Sequence, residues 1–246
     1  MIVPTMTYKE IYDELDKDKF KIKLRIDKIY PKVVKEFKKS RSFPLMHVDE
    51  YKIPATNNQY VIFYYAEKAN EIEKPYYTYF GVVFSDNHRF VLFPMERRYQ
   101  HTPKCDFVDM PQVHVFTSHF LQRYNERYLH NNNLNANQVA GIYILRNWDV
   151  ITVSMNEEIN KKFKEYGESN KHAVRVHDGF CFTETALQYK PSEDGKREND
   201  ELYAMMYKYK TFVSERELTD GQKDAIDKEH LELFKYCIEN DAKENN

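Results

Sequence analysis

Thr117-Ser118-His119-Phe120-Leu121-Gln122-Arg123-Tyr124-Asn125-Glu126-Arg127-Tyr128 is the stretch where side chains able to do chemistry fall into helical register. At about 100° per residue, His119, Arg123, Glu126 and Arg127 share one arc of a helix. Phe120, Leu121, Tyr124 and Tyr128 fill the adjacent arc and would bury it. A histidine, with an ordinary pKa of about 6.5, can give or take a proton near neutrality. Two arginines beside it can grip oxyanions with their planar forks. A second group lies further on, where His172 and Arg175 lead to His177 beside an Asp178-Gly179 turn. Alternation would put Arg175 and His177 on one face of a strand. Each residue also has an ordinary reading, as a local hydrogen bond, a surface ion pair or a solvated turn histidine.

The elements that would carry these residues read as α+β. Over residues 7–40, Ile22, Ile26, Ile29, Val33 and Phe37 recur at helical spacing, although Phe20, Leu24 and their neighbours also alternate as in a strand. Pro31 is expected to begin or kink the helix. Tyr60–Ala66, Tyr76–Phe84 and Arg89–Phe93 read as an antiparallel β-meander, with Asp86-Asn87 as a hairpin turn. Residues 98–111 read as a crossing loop, and Gln112–Phe116 as a short strand before the His119 helix. Asn135 or Asn137 caps a second helix through Asn147. Val150–Val153 reads as a strand and Glu157–Tyr166 as a helix. The hairpin 172–183, a polar loop 189–200, a strand Tyr203–Ser214 and a capped C-terminal helix from Thr219 to about Glu239 follow.

The expected fold is therefore an N-terminal helix plus antiparallel meander, then helices followed by an antiparallel sheet and a C-terminal helix. It divides near residue 110 into a module 1–110 and an α+β unit 111–246, or forms one continuous domain.

Composition removes several function classes. Among 246 residues there are six glycines, with no G-x-G-x-x-G and no G-x-x-x-x-G-K-[ST], so no nucleotide cofactor is expected. The three cysteines are far apart with no C-x-x-C, which fits a reducing, cytoplasmic setting and argues against a thiolate zinc site. His114/His119 and His172/His177 are spaced by five, not the i, i+4 of H-E-x-x-H, so no metal is expected. No G-x-S-x-G marks a serine hydrolase. No apolar run reaches membrane length and no leader is evident. Net charge is −2, so any nucleic-acid surface must be a local patch. Lys17–Arg41 is one candidate, with eleven Lys/Arg against three Asp/Glu, although such runs are commonly solvated helix faces. The tyrosine-rich strands are another, as base-stacking surfaces or as core.

From Gln112 to Ser214 the chain resembles the barnase–EndoU–colicin–RelE superfamily of small RNases. The resemblance rests on a T-x-H-[AF]-x-x-R-x-x-x-R helix, here Thr117, His119, Phe120, Arg123 and Arg127. Late strands carry Thr211 and Ser214 where the family has Thr or Ser. It covers roughly residues 112–216; the Ser154–Asn170 insert, the 189–200 loop and the first 110 residues depart from it. The resemblance implies metal-independent RNA transesterification without a cofactor. His119, Arg123, Arg127 and Thr211 would be catalytic, with His177 added from the turn residues themselves, and Arg175, Lys210 and Ser214 would bind. RNA is the implied substrate, and a protein partner or antitoxin is conceivable for a toxin-like domain. Two other readings stand beside it: a non-enzymatic nucleic-acid- or protein-binding protein of a phage or mobile element, and an inactive structural relative.

Overall fold

A computed structural model describes residues 1–3, 5–99, 108–154, 172–191, 201–228, 231, 232 and 235. Helix α1 (Tyr8–Phe37) starts at a capping box, with Thr7 accepting from the Glu10 amide and Glu10 returning to Thr7. Its burial decides between the two periodicities of this segment. Leu15, Ile22, Ile26, Ile29, Val33 and Phe37 are buried, while Phe20 and Leu24 are 69% and 53% exposed. The 3.6-residue repeat therefore wins over alternation, and Pro31 lies inside the helix.

The strands are β1 (Leu45–Lys52), β2 (Gln59–Ala66), β3 (Tyr76–Ser85), β4 (His88–Tyr99), β5 (Val108–Thr117), β6 (Ile151–Ser154), β7 (His172–Val176), β8 (Gly179–Lys190) and β9 (Glu201–Ser214). They form one nine-stranded sheet in the order β1-β2-β3-β4-β5-β9-β8-β7-β6. Every pairing is antiparallel except β5 with β9, which run parallel from Gln112↔Met205 to Phe116↔Tyr209. Residue 110 lies inside β5, which pairs with β4 on one side and β9 on the other.

Several elements differ from expectation. β1 went unread because Asp49, Glu50 and Lys52 interrupt its apolar pattern. The expected loop 98–111 contains strand at both ends: β4 reaches Tyr99, and β5 starts at Val108 and accommodates Pro111 opposite Glu96. β8 continues seven residues beyond Thr183 to Lys190. The helix expected at 157–166 and most of the 189–200 loop lie outside the described residues.

Both faces of the sheet are covered. α1 packs on one face against Tyr60, Ile62, Tyr64, Val113 and Val115. The alternate residues Val61, Phe63, Phe116, Tyr207 and Tyr209 point the other way, toward α2 (Ser118–Tyr124) and α3 (Ala136–Arg146). The C-terminal helix α4 (220–228) uses Ile226 to cover Phe180, Phe182 and Val213. Two-sided cover explains how neighbouring tyrosines are accommodated: Tyr64 is fully buried under α1, and Tyr65 packs half-buried on the opposite face. Among the described residues no helix is long and apolar enough to cross a membrane.

At the parallel junction His114 is buried among Phe116, Tyr207 and Tyr209, with Nδ1 2.9 Å from the Tyr209 hydroxyl. Burial, aided by the Arg97 charge, pushes its pKa down to about 3, so it is a neutral core residue at physiological pH.

Gly141 sets how closely α3 approaches β2. A Cβ there would lie 2.8 Å from Phe63 Cβ and closer still to the Phe63 ring. Helix propensity alone favours alanine by about 1 kcal/mol. The packing predicts the reverse: Gly141→Ala should lower stability by about 1–3 kcal/mol in urea unfolding, the range for overpacking a core.

Candidate functional site

α2 begins where β5 ends. Thr117 caps it by accepting from the Phe120 amide at 3.1 Å, and the Thr117 hydroxyl donates to the Tyr209 carbonyl of β9. Phe120, Leu121 and Tyr124 are buried beneath it. The next turn, Asn125–Leu129, widens to the π form, with the His130 amide donating to the Asn125 carbonyl at 2.7 Å. His130 closes it in the left-handed region at φ 51°.

This wide turn divides the predicted arc. His119 is exposed, with no hydrogen-bond or ion-pair partner among the described residues. Arg123 donates to Glu126 at 2.8 Å on the outer surface. Arg127, eight residues and roughly 12 Å along the axis from His119, turns inward instead. Its Nη1 donates to the Phe212 carbonyl at 2.6 Å, and its Nε lies 3.5 Å from Glu217.

Arg127 lines a cavity of about 500 Å³ together with His177, Ser214, His130, Arg216 and Asp178. Three sequence candidates, Arg127, His177 and Ser214, thus meet in one place. Besides His119 and Arg123, three others do not. Thr211 is buried opposite Phe182, on the face that α4 covers, and its hydroxyl has no partner among the described residues. Arg175 sits opposite Phe180 on that same face and pairs with Asp227 and Glu215, so it does not share a face with His177 as alternation suggested. His177 lies past the end of β7, in the turn, where strand alternation no longer applies. Lys210 falls at a bulge in the β8–β9 pairing and lies 3.7 Å from Glu184.

The residue that organises this cavity is Asp178, whose side chain has 0% exposure. Arg146, at the end of α3, grips both carboxylate oxygens through Nε and Nη2, the closest contact being 2.7 Å. The Tyr124 hydroxyl donates at 2.7 Å and Asn147 Nδ2 at 2.9 Å. Asn147 Oδ1 in turn accepts from the Asp178 amide. Tyr128 stacks on Tyr124 at 5.4 Å and lies beneath the Arg146 guanidinium. Burial alone would raise the Asp178 pKa. Hydrogen bonds from Arg146, then Tyr124, His177 and Tyr128, outweigh it and hold the carboxyl well below the usual range.

An ionised carboxylate only accepts hydrogen bonds. His177 Nδ1, 3.0 Å from Asp178 Oδ1, must therefore be the donor. Neutral His177 then carries its lone pair on Nε2. The ring is 70% exposed, so that nitrogen is open to a ligand. The result is an imidazole aligned by a buried carboxylate, in a cavity that Arg127, Arg216 and Glu215 also line. Such a set can take a proton from a hydroxyl and stabilise a neighbouring oxyanion.

Sequence reading found His177 but missed Asp178, Arg146, Asn147, His130 and Arg216. The Asp178-Gly179 pair was fully accounted for as a turn, which hid the carboxylate's second role. No short motif joins residues 146 and 178, and only the fold brings them together.

Asp178→Asn should cost about 2 kcal/mol at pH 7, since it weakens the charge-assisted hydrogen bonds that Arg146, Tyr124 and Asn147 donate to the buried carboxylate. Because the folded-state pKa is depressed, this contribution is present above the unfolded value of about 4 and is lost as pH falls through the folded value. The gap between wild type and variant in urea midpoints should therefore shrink between about pH 4 and pH 2. A constant gap would mean that ionisation of Asp178 does not stabilise the fold.

Comparison with known proteins gives no match: none to a family model, none to a curated protein and none to a solved structure.

Proposed function

We propose that the protein is a metal-independent endoribonuclease whose reaction centre is the cavity between the π turn after α2 and the β7–β8 turn. The observation that carries this reading is the His177–Asp178 pair opening into the cavity that Arg127 and Arg216 also line. In the proposed reaction His177 Nε2 takes the ribose 2′-OH proton. The 2′-oxygen attacks the adjacent phosphorus, and the bond from phosphorus to the 5′-oxygen breaks as that oxygen receives a proton. His130, on the same cavity, is the second proton-transfer group. Arg127, already fixed by Phe212 and Glu217, and Arg216 face the charge that grows on the phosphorane oxygens. The products are a 2′,3′-cyclic phosphate and a free 5′-hydroxyl.

An acyl-transfer reading with Ser214 as nucleophile has less support. The Ser214 hydroxyl hydrogen-bonds to Glu217 at 3.3 Å, and no hydrogen bond joins it to His177. His119 and Arg123 stand on the outer surface of α2, so in this reading they contact the substrate strand rather than the reacting phosphate.

The test is incubation of the protein with labelled mixed-sequence RNA in EDTA. Wild type should cleave it and leave cyclic phosphate ends. His177→Ala should lower the rate by about 10²–10⁴-fold, the usual contribution of a general acid or base. His119→Ala should lower it by less than about tenfold. Loss of cleavage in His119→Ala with full activity in His177→Ala would move the chemistry to the outer face of α2. A salt-sensitive shift of the RNA with no cleavage would leave only a binding protein.

A further inference from the structure

At the other end of α3 a second cavity, of about 330 Å³, opens on the same face of the sheet. Arg89 on β4 lies directly opposite Phe84 on β3, and both side chains line it. Lys52 and Gln59 form the next pair, across β1 and β2. Asn137, in the first turn of α3, closes the cavity from above.

Arg89 stands apart among the described half-buried arginines; Arg41 and Arg216 also lack an ion pair but are exposed. Arg25, Arg97, Arg123, Arg127, Arg146 and Arg175 each have a carboxylate within ion-pair distance. Arg89 is half-buried, and among the described residues its guanidinium donates to the neutral Asn137 amide and has no carboxylate within ion-pair distance, Glu50 acting on it from further away. Asn137 in turn donates to Glu50 at 2.8 Å, which holds that carboxylate on the Asn137 amide rather than on the Arg89 guanidinium. Lys52 is exposed and forms no ion pair among the described residues. A partly desolvated cation whose nearby carboxylate lies beyond ion-pair distance gains when an anion seats directly against it. Phe84, 62% exposed beside it, offers an aromatic face with no structural work to do.

We infer that this cavity is a second nucleotide subsite, in which Arg89 and Lys52 hold a phosphate of single-stranded RNA and Phe84 stacks the attached base. The inference deepens the ribonuclease reading and rests on its substrate class. Arg suits a phosphate because its fork matches two oxygens at once, and an aromatic face accepts any base. The geometry of α3 supports the link between the two cavities. Asn137 at its start lines this one, while Arg146 and Asn147 at its end hold the Asp178 of the other. The eleven residues of α3 span roughly 16 Å, a length that a short strand can bridge.

The test uses an uncleavable 2′-O-methyl oligonucleotide and fluorescence anisotropy, with circular dichroism to confirm that each variant is folded. Arg89→Ala should weaken binding about tenfold and flatten its salt dependence by close to one phosphate contact. Arg89→Lys should recover only part of the loss. Phe84→Ser should weaken binding about tenfold with the salt slope unchanged. Unchanged binding in folded Arg89→Ala and Phe84→Ser would overturn the subsite while leaving the cleavage assay to judge the reaction centre. Arg89-dependent binding without any cleavage would uphold the subsite and remove the ribonuclease. Absence of oligonucleotide binding, with inorganic phosphate alone protecting the protein through Arg89, would make this a free-anion site and overturn the nucleotide assignment.

Discussion

A carboxylate withdrawn from water must be surrounded by donors, and the donors that surround Asp178 come from elements distant in sequence. Tyr124 belongs to α2, Arg146 and Asn147 to the end of α3, and Asp178 itself to the β7–β8 turn. Satisfying one buried charge therefore fixes where two helices end relative to a hairpin. The exposed edge of this arrangement is His177, which uses the same carboxylate to set its ring. Stability and proton chemistry are coupled through one side chain. The ion pair with Arg146 is unlike a surface bridge of small effect, because the acid is fully buried and its oxygens accept several hydrogen bonds.

The sheet makes this arrangement reachable. The parallel junction of β5 and β9 joins an N-terminal meander to a C-terminal hairpin set in one continuous surface. α2 leaves directly from β5 and lies over β9, which brings Arg127 to the Phe212 carbonyl. α3 then crosses back over β2, held close by Gly141 on Phe63. Its two ends reach two cavities, one bordered by strands from the first half of the chain and one by turns from the second. On the far side α1 and α4 cover the opposite face, so Thr211 and Arg175 belong to packing and ion pairing there.

Much of the local structure was legible because its causes are local. The Asn135 cap, the Thr219 cap with Gln222, the Asp86-Asn87 and Asp178-Gly179 turns, and the isoleucine repeat of α1 all act within a few residues. β1 was not legible, since a charged edge strand hides its alternation, and neither was the parallel pairing, which joins residues some ninety positions apart. The site divides in the same way. His177 and Arg127 could be picked out as residue types in suggestive places. The arc joining His119 to Arg127 assumed an unbroken α-helix, which the wide turn at Asn125–Leu129 interrupts. Asp178 was invisible as a site residue because its partners are assembled only by tertiary contact. The likeness to toxin-type RNases rested on the α2 segment, and the cavity proposed as the reaction centre uses only Arg127 and Ser214 from that pattern, with His177 from outside it.

Asp178 fixes which nitrogen of the His177 ring is protonated. Nitrogen-15 NMR of labelled protein, with His177 assigned by the His177→Ala variant, reads this directly. In the neutral ring the account predicts a proton on Nδ1 and a bare Nε2, with that preference lost in Asp178→Asn. A neutral ring protonated on Nε2 in the wild type would contradict it, because His177 would then have no lone pair to offer the cavity.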